Sequence, residues 1–253
     1  MTDRDRAARF ADARRTGEEL ADAEPLELDR GYAIADQLAE NMPQVVGWKV
    51  GATSPAGQSF LGISEPIWGR VFDGGLWTAP ADVDLHGDRP AEAEPEIFVR
   101  IGTTPDGELR PVDIAALHLG IELNRPSRPD ALTLGAGFIV ADNAANVGLV
   151  IGDAFPTSAL ATPTDVTVRL LRNGELVSTG DAAAVLGDPL EAARWLVRKR
   201  ACSERPVRAG DWIATGAMAR SATFAIGDEV IADFGALGTL RVGRVPSSRS
   251  YDR

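Results

Sequence analysis

The chain is predicted to be α+β, with helices gathered at its start and short strands filling the rest. Three observations carry that expectation. Residues 3–42 show helical spacing, with Ala7, Phe10 and Ala11 in one segment and Ile34, Leu38 and Met42 four apart in a second that runs from Leu26 to Asn41. After Pro43 the pattern changes to short apolar, β-branched runs. These runs follow one another with few helices between, which is not the strand–helix alternation of a doubly wound sheet. At 253 residues, 44% of them hydrophobic, the chain can bury a sizeable core, and no linker is long enough to separate domains. The expected division is a helical segment over 1–44, a strand-rich domain over 45–246 and a disordered tail over 247–253.

Taken in order, Pro25 and Pro43 punctuate the helices. Val45 to Gly51 reads as a strand with Lys49 in its middle, Thr53-Ser54-Pro55 starts a short helix through Phe60, and Ile67 to Phe72 is a second strand closed by the loop Asp73-Gly74-Gly75. A strand follows from Glu94 to Ile101, then a turn at 105–107, a short helix from Pro111 to His118 and a short strand from Gly120 to Asn124. The Pro- and Gly-rich stretch from Arg125 to Gly137 is expected to be a loop, and residues 140–146 lead into a strand from Val147 to Ile151. Asn173-Gly174 between two apolar runs is a hairpin signal. Asp188-Pro189-Leu190-Glu191 combines a capping acid, a proline at the first helical position and a glutamate two residues on, opening a helix to about Arg200. Short strands are expected near 211–215, 221–226, 229–234 and 238–245.

The chemistry centres on Glu94-Pro95-Glu96. Strand side chains alternate faces, so Glu94, Glu96 and Phe98 point one way and Pro95, Ile97 and Val99 the other. Adjacent same-face carboxylates repel unless a cation lies between them, and a hard divalent ion with carboxylate ligands at about 2.0–2.1 Å leaves positions open for water or substrate. Lacking an N–H, Pro95 is expected to put this strand at a sheet edge or bulge. Lys49, Glu122 and Asp142-Asn143 are further polar groups set among apolar neighbours.

Composition limits the partners. A net charge of −11 argues against nucleic acid or an anionic membrane. The one cysteine, Cys202, excludes an internal disulfide and suits a reducing cytoplasm. The charged N-terminus is not followed by an apolar segment of the signal-peptide kind, and no run reaches the roughly 18–20 apolar residues of a membrane span.

Six segments occur together in one order and spacing: Gly47-Trp48-Lys49-Val50-Gly51-Ala52-Thr53, Glu94-Pro95-Glu96, Gly120-Ile121-Glu122, Ala141-Asp142-Asn143-Ala144-Ala145-Asn146, Leu186-Gly187-Asp188-Pro189 with Trp195-Leu196, and Thr215-Gly216. In this the chain resembles the fumarylacetoacetate hydrolase superfamily, and within it the 2-keto-4-pentenoate hydratase and 4-oxalocrotonate decarboxylase branch. The resemblance covers about residues 45–245 and implies a mixed β-roll or barrel with an N-terminal helical segment. It implies Mg2+ or Mn2+ on Glu94, Glu96 and Glu122, a 2-keto acid substrate, Lys49 in proton transfer and substrate binding, substrate contacts from Thr215-Gly216, and Asp142-Asn143 on the substrate side as support for the metal site. It further implies a homo-oligomer, and the cysteine count and charged N-terminus lead to the expectation of a cytoplasmic protein.

The implied reaction passes through an enolate of a 2-keto acid, most simply the hydration of a 2-hydroxypenta-2,4-dienoate. Decarboxylation, C–C hydrolysis and non-catalytic keto-acid binding use the same site. Three departures bear on the choice, one of them the loop from Arg125 to Gly137. The family's acid after the second strand is met here by Asp73 followed by Gly74, displaced by one position, and Glu92 stands where hydratases tend to carry arginine.

Overall fold

The computed structural model describes residues 1–247. Its elements are α1 (Asp3–Thr16), α2 (Leu28–Ala39), β1 (Val45–Gly51), α3 (Pro55–Leu61), β2 (Ile67–Phe72), β3 (Leu76–Thr78), β4 (Ala81–Asp84), β5 (Ala91–Ile101), β6 (Ile114–Asn124), α4 (Gly135–Ala141), β7 (Asn146–Phe155), β8 (Thr167–Arg172), β9 (Glu175–Asp181), α5 (Pro189–Arg200), β10 (Trp212–Ala214), β11 (Ala222–Phe224), β12 (Glu229–Asp233) and β13 (Thr239–Val245). The chain is α+β, and its strands form two mixed sheets. The larger runs β2-β1-β10-β5-β6-β7-β3, with β11 also paired to β5, and the smaller runs β4-β13-β12-β8-β9.

Local chemistry explains the boundaries. Thr2 caps α1 in a reciprocal box with Asp5, and Gly17 ends it in the left-handed conformation. Asp188 caps α5 by accepting from the Leu190 N–H, Pro189 opens it, and Arg198, Lys199 and Arg200 face the negative end of its dipole. Asn173 and Gly174 both take positive φ, as a tight hairpin requires, and join β8 to β9.

The main core lies between the sheets. Ile97, Val99, Ile121 and Leu123 from the larger sheet join Val168, Leu170, Val230, Leu240 and Val242 from the smaller one. A second core gathers α1, α2 and α4 through Phe10, Ile34, Leu38 and Phe138, with Phe10 and Phe138 edge to face at 5.3 Å. Helices α2 and α4 approach so closely that a Cβ on Gly31 would meet the Gly137 carbonyl oxygen at 2.2 Å.

Three expectations are corrected. The helix expected over 111–118 is a 3-10 turn at Pro111–Asp113, after which β6 begins and carries His118 in mid-strand. The reason is the strict alternation of Leu117, Leu119, Ile121 and Leu123, all buried on one face. The expected loop over 125–137 ends in helix, since α4 starts at Gly135. Pro95 lies in an interior strand: β10 pairs with one part of β5 and β11 with another, leaving residues 94–97 without a ladder partner on that side. The Pro95 carbonyl accepts from the Met218 N–H in this gap. A strand residue's N–H and C=O point the same way, so the missing donor falls where no ladder needs it.

The expected disordered tail falls, but for Ser247, outside the described residues. No helix among the described residues is long and apolar enough to cross a membrane.

Candidate active site

Strand register brings the acids together. Glu94 lies opposite Glu122 on β5 and β6, Glu96 lies opposite Gly120, and the three share a face. Lys49, Ala214 and Phe98 align across β1, β10 and β5 on that same face. One carboxylate oxygen from each of Glu94, Glu96 and Glu122 lies within 4.8 Å of the others. The Lys49 ammonium stands 3.3 Å from Glu122 Oε2, with the lysine side chain 6% exposed and the glutamate fully buried.

Every acid is aimed by a neighbour. Asn124 Nδ2 donates to Glu94 at 3.0 Å, Asn146 Nδ2 donates to Glu122 at 2.7 Å, and the Gly216 N–H donates to Glu96 Oε2 at 2.9 Å. The other Glu96 oxygen is buried without a hydrogen-bond partner. Burial first, then the charge on the neighbouring acids, holds Glu96 well above the usual carboxylate range and pushes Glu94 up to about 7. Burial alone would lower the Lys49 pKa, but Glu122, Glu94 and Glu96 together hold it above its ordinary value. Three clustered carboxylates, Glu96 and Glu122 fully buried and Glu94 half-buried, beside the Lys49 ammonium leave negative charge uncompensated, and one buried Glu96 oxygen has no hydrogen-bond partner. This donor set fits a hard divalent cation.

Thr215 and Gly216 reach the trio through backbone geometry. The Thr215 hydroxyl donates to the Ile97 carbonyl at 2.8 Å and pins the segment to β5 in the gap beside Pro95. Gly216 has φ +121, and a Cβ there would meet Thr53 Oγ1 at 2.4 Å, so a side chain would break the close approach that aims its N–H at Glu96.

Asp142 and Asn143 are both buried, and their side chains are engaged within the protein. The Asn143 amide spends both of its ends on the Arg70 backbone, at 2.7 and 2.8 Å. The Asp142 carboxylate is fully buried against Arg14 at 3.1 Å and accepts from the Ser127 N–H. Together they hold a run in which Asn143, Ala144 and Ala145 all have φ between 50° and 63°. Left-handed residues other than glycine are strained, so the surrounding bonds must impose the run. It delivers Asn146 onto Glu122.

Asp73 stands apart from the trio, exposed on the turn after β2 with its carboxylate accepting from the Gly74 N–H. It lines a cavity of about 590 Å3 whose walls also include Arg14, Phe72, Arg125 and Asn146. Glu92 accepts from the hydroxyls of Ser221 and Thr223, which ties β5 to β11.

Sequence reasoning did not single out Asn124, Asn146 or Arg14. The asparagines had a readable signal, since Asn124 lies two residues from Glu122 on the same strand face. Arg14 had none, because its partner Asp142 is 128 positions away.

Comparison with known proteins agrees with this geometry. Residues 131–245 match the model of the fumarylacetoacetate (FAA) hydrolase C-terminal domain. The chain is 32% identical to a 2-keto-4-pentenoate hydratase of Paraburkholderia xenovorans over 85% of its own length and 83% of the relative's. It is 29% identical to a TodF product hydratase of Pseudomonas putida over the same shares of the two chains. Among solved structures, 4-oxalocrotonate decarboxylase from Pseudomonas putida G7, complexed with magnesium and adipate, superposes with a TM-score of 0.85 at 22% identity, covering 96% of this chain and 97% of that one. Fumarylpyruvate hydrolase from Pseudomonas aeruginosa, in complex with Mn2+ and pyruvate, gives 0.63 at 16% identity over 81% and 91%. With the acidic trio, its lysine and its fold all in place, the chain belongs to the fumarylacetoacetate hydrolase family, in the group of the 2-keto-4-pentenoate hydratases.

Proposed function

We propose that this protein is a Mg2+- or Mn2+-dependent lyase that hydrates a 2-hydroxydienoic acid through its 2-keto tautomer. The observation that carries the reading is the orphaned oxygen of Glu96 within the cluster of three carboxylates, with Lys49 paired to Glu122. A divalent cation on Glu94, Glu96 and Glu122 would supply Lewis-acid stabilisation of negative charge on the C2 oxygen.

The chain's own groups do the rest. Lys49, held protonated by its acidic neighbours, donates a hydrogen bond to the substrate's oxygen and is placed to deliver a proton. Protonation at C5, with the 2-hydroxyl proton released, turns the 2-hydroxy-2,4-diene into a 2-keto-3-ene; the oxygen of water then bonds to C4, losing a proton, while a proton is added at C3. Asn124, Asn146 and the Gly216 N–H keep the carboxylates aimed, and the Thr215-Gly216 segment forms the wall against the substrate's carboxylate end. Asp73, on the cavity that also reaches Asn146, is the group assigned to receive the proton of the attacking water. Residues 45–246 form the catalytic unit, and the helical segment 1–44 contributes Arg14 behind it. A cytoplasmic homo-oligomer completes the reading, supported by the single exposed cysteine and by exposed Phe60, Val112 and Leu132.

One observation favours a second reaction on the same site. Asp73 is exposed and displaced from the trio, and a decarboxylase needs no water-activating acid. Proton NMR of a 2-hydroxydienoate incubation with Mg2+ separates the two: a 4-hydroxy-2-keto acid supports hydration, CO2 release from a dicarboxylic substrate supports decarboxylation, and unchanged dienoate under every metal tried refutes both.

A further inference from the structure

Arg125 follows Asn124 at the end of β6 and is 5% exposed. Its Nη1 is buried without a hydrogen-bond partner, and among the described residues no carboxylate forms an ion pair with it. The charges around it are mostly of its own sign. Arg14 is engaged by Asp142, Arg89 by the carbonyls of Pro126 and Ser127, and Arg244 by those of Phe224 and Gly87. Burial first, and then Arg244, Arg89 and Arg14, lower the Arg125 pKa to about 10, which leaves it charged near neutrality.

Asp142 offsets this in part, but its carboxylate is already taken by Arg14 and the Ser127 N–H, so the buried Arg125 guanidinium, with no ion pair of its own among the described residues, is costly to fold and points to an anion that arrives from outside. The cavity it lines gives that anion a place, with a volume of about 590 Å3. The acids on the same walls are engaged elsewhere: Asp12 holds Arg15, Asp73 accepts from the Gly74 N–H, and Asp84 accepts from the Ser247 hydroxyl. The cavity also reaches Asn146, the residue that aims Glu122. Asn124, the residue before Arg125, aims Glu94. Arg125 is therefore tied to the acidic trio through two neighbouring strand ends.

We propose that Arg125 anchors a second, distal carboxylate of the substrate, so that the preferred substrate is a dicarboxylic 2-keto or 2-hydroxydienoic acid. The inference rests on the keto-acid reading above. Its chemistry is that of a planar, permanently charged fork meeting a carboxylate in a site with little water. The stretch from Arg125 is one of the places where the sequence departs from the family's pattern, and the structure gives that departure a charge and a cavity.

The test uses the Mg2+-loaded full chain and two pairs of compounds that differ only at the far end. Calorimetry compares 2-oxoadipate with 2-oxohexanoate, and turnover compares 2-hydroxyhexa-2,4-dienedioate with 2-hydroxypenta-2,4-dienoate. Wild type is expected to favour the dicarboxylate of each pair by about 100-fold, the scale of a buried charged hydrogen-bond partner. Arg125→Met should bring the two members of each pair within about threefold by loss on the dicarboxylate alone, and Arg125→Lys should keep most of the preference. Equal affinity of wild type for 2-oxoadipate and 2-oxohexanoate overturns the proposal, even if Arg125→Met cannot be purified. So does a preference that survives in Arg125→Met. Absence of turnover with both dienoates, while 2-oxoadipate still binds selectively, refutes the hydratase reading and leaves the distal subsite standing.

Discussion

Replacing Lys49 with methionine removes the cation beside the three clustered carboxylates while keeping an unbranched side chain of similar length. The Lys49–Glu122 pair is 3.3 Å apart, and both side chains are nearly or wholly buried. Removing one member of such a pair costs about 3–5 kcal/mol, because the buried charge left behind loses its counter-charge. For a chain of this size that corresponds to a fall in Tm of about 6–20 °C. The cost should depend on pH in a definite direction. Glu94 and Glu96 have folded pKa values above their unfolded ones, so between the ordinary glutamate value and about 7 the folded chain binds more protons than the unfolded chain. Stability of the metal-free protein therefore falls as pH rises through that window, and Lys49→Met makes the fall steeper. Scanning calorimetry of both proteins without metal, at about pH 5 and about pH 8, reads the difference. A large gap at the higher pH and a small one at the lower is expected. An equal loss at both would show that Lys49 acts by packing and that the trio is not charged against it.

Three further outcomes follow from contacts around the site. Asn146→Ala should weaken Mg2+ binding by about 10–100-fold with the fold intact, since it frees Glu122 without removing it, and titration calorimetry with circular dichroism checks both halves. Gly216→Ala should lower Mg2+ affinity and cost about 1–3 kcal/mol in denaturant unfolding, because the added Cβ meets Thr53 and the backbone is left-handed; an unchanged variant would show that the Gly216–Glu96 contact is dispensable. Arg14→Met should destabilise by about 3–5 kcal/mol near neutral pH, since it strands the buried Asp142, and Arg14→Met combined with Asp142→Asn should recover part of the loss.

The trio and Lys49 were legible because strand period and motif order both act locally: Glu94 and Glu96 share a face by alternation, and Glu122 and Lys49 occur in register with them. Where sequence reasoning failed, long-range pairing had decided the outcome. The segment 111–118 was assigned to a helix from a short window, whereas pairing with both β5 and β7 makes most of it strand. Pro95 predicts a sheet edge or bulge because proline lacks a donor, yet the gap between β10 and β11 serves the same purpose inside the sheet. The side chains of Asp142 and Asn143 turn towards Arg14 and β2, positions that no local pattern announces.

The central claim is that Glu94, Glu96 and Glu122 hold one divalent cation. Calorimetric titration of Mg2+ into wild type, Glu96→Gln and Glu122→Gln tests it most directly. The account predicts one site per chain in wild type, with protons released on binding because the raised carboxylates must ionise, and no measurable binding in either variant. Undiminished Mg2+ binding in both variants would contradict it.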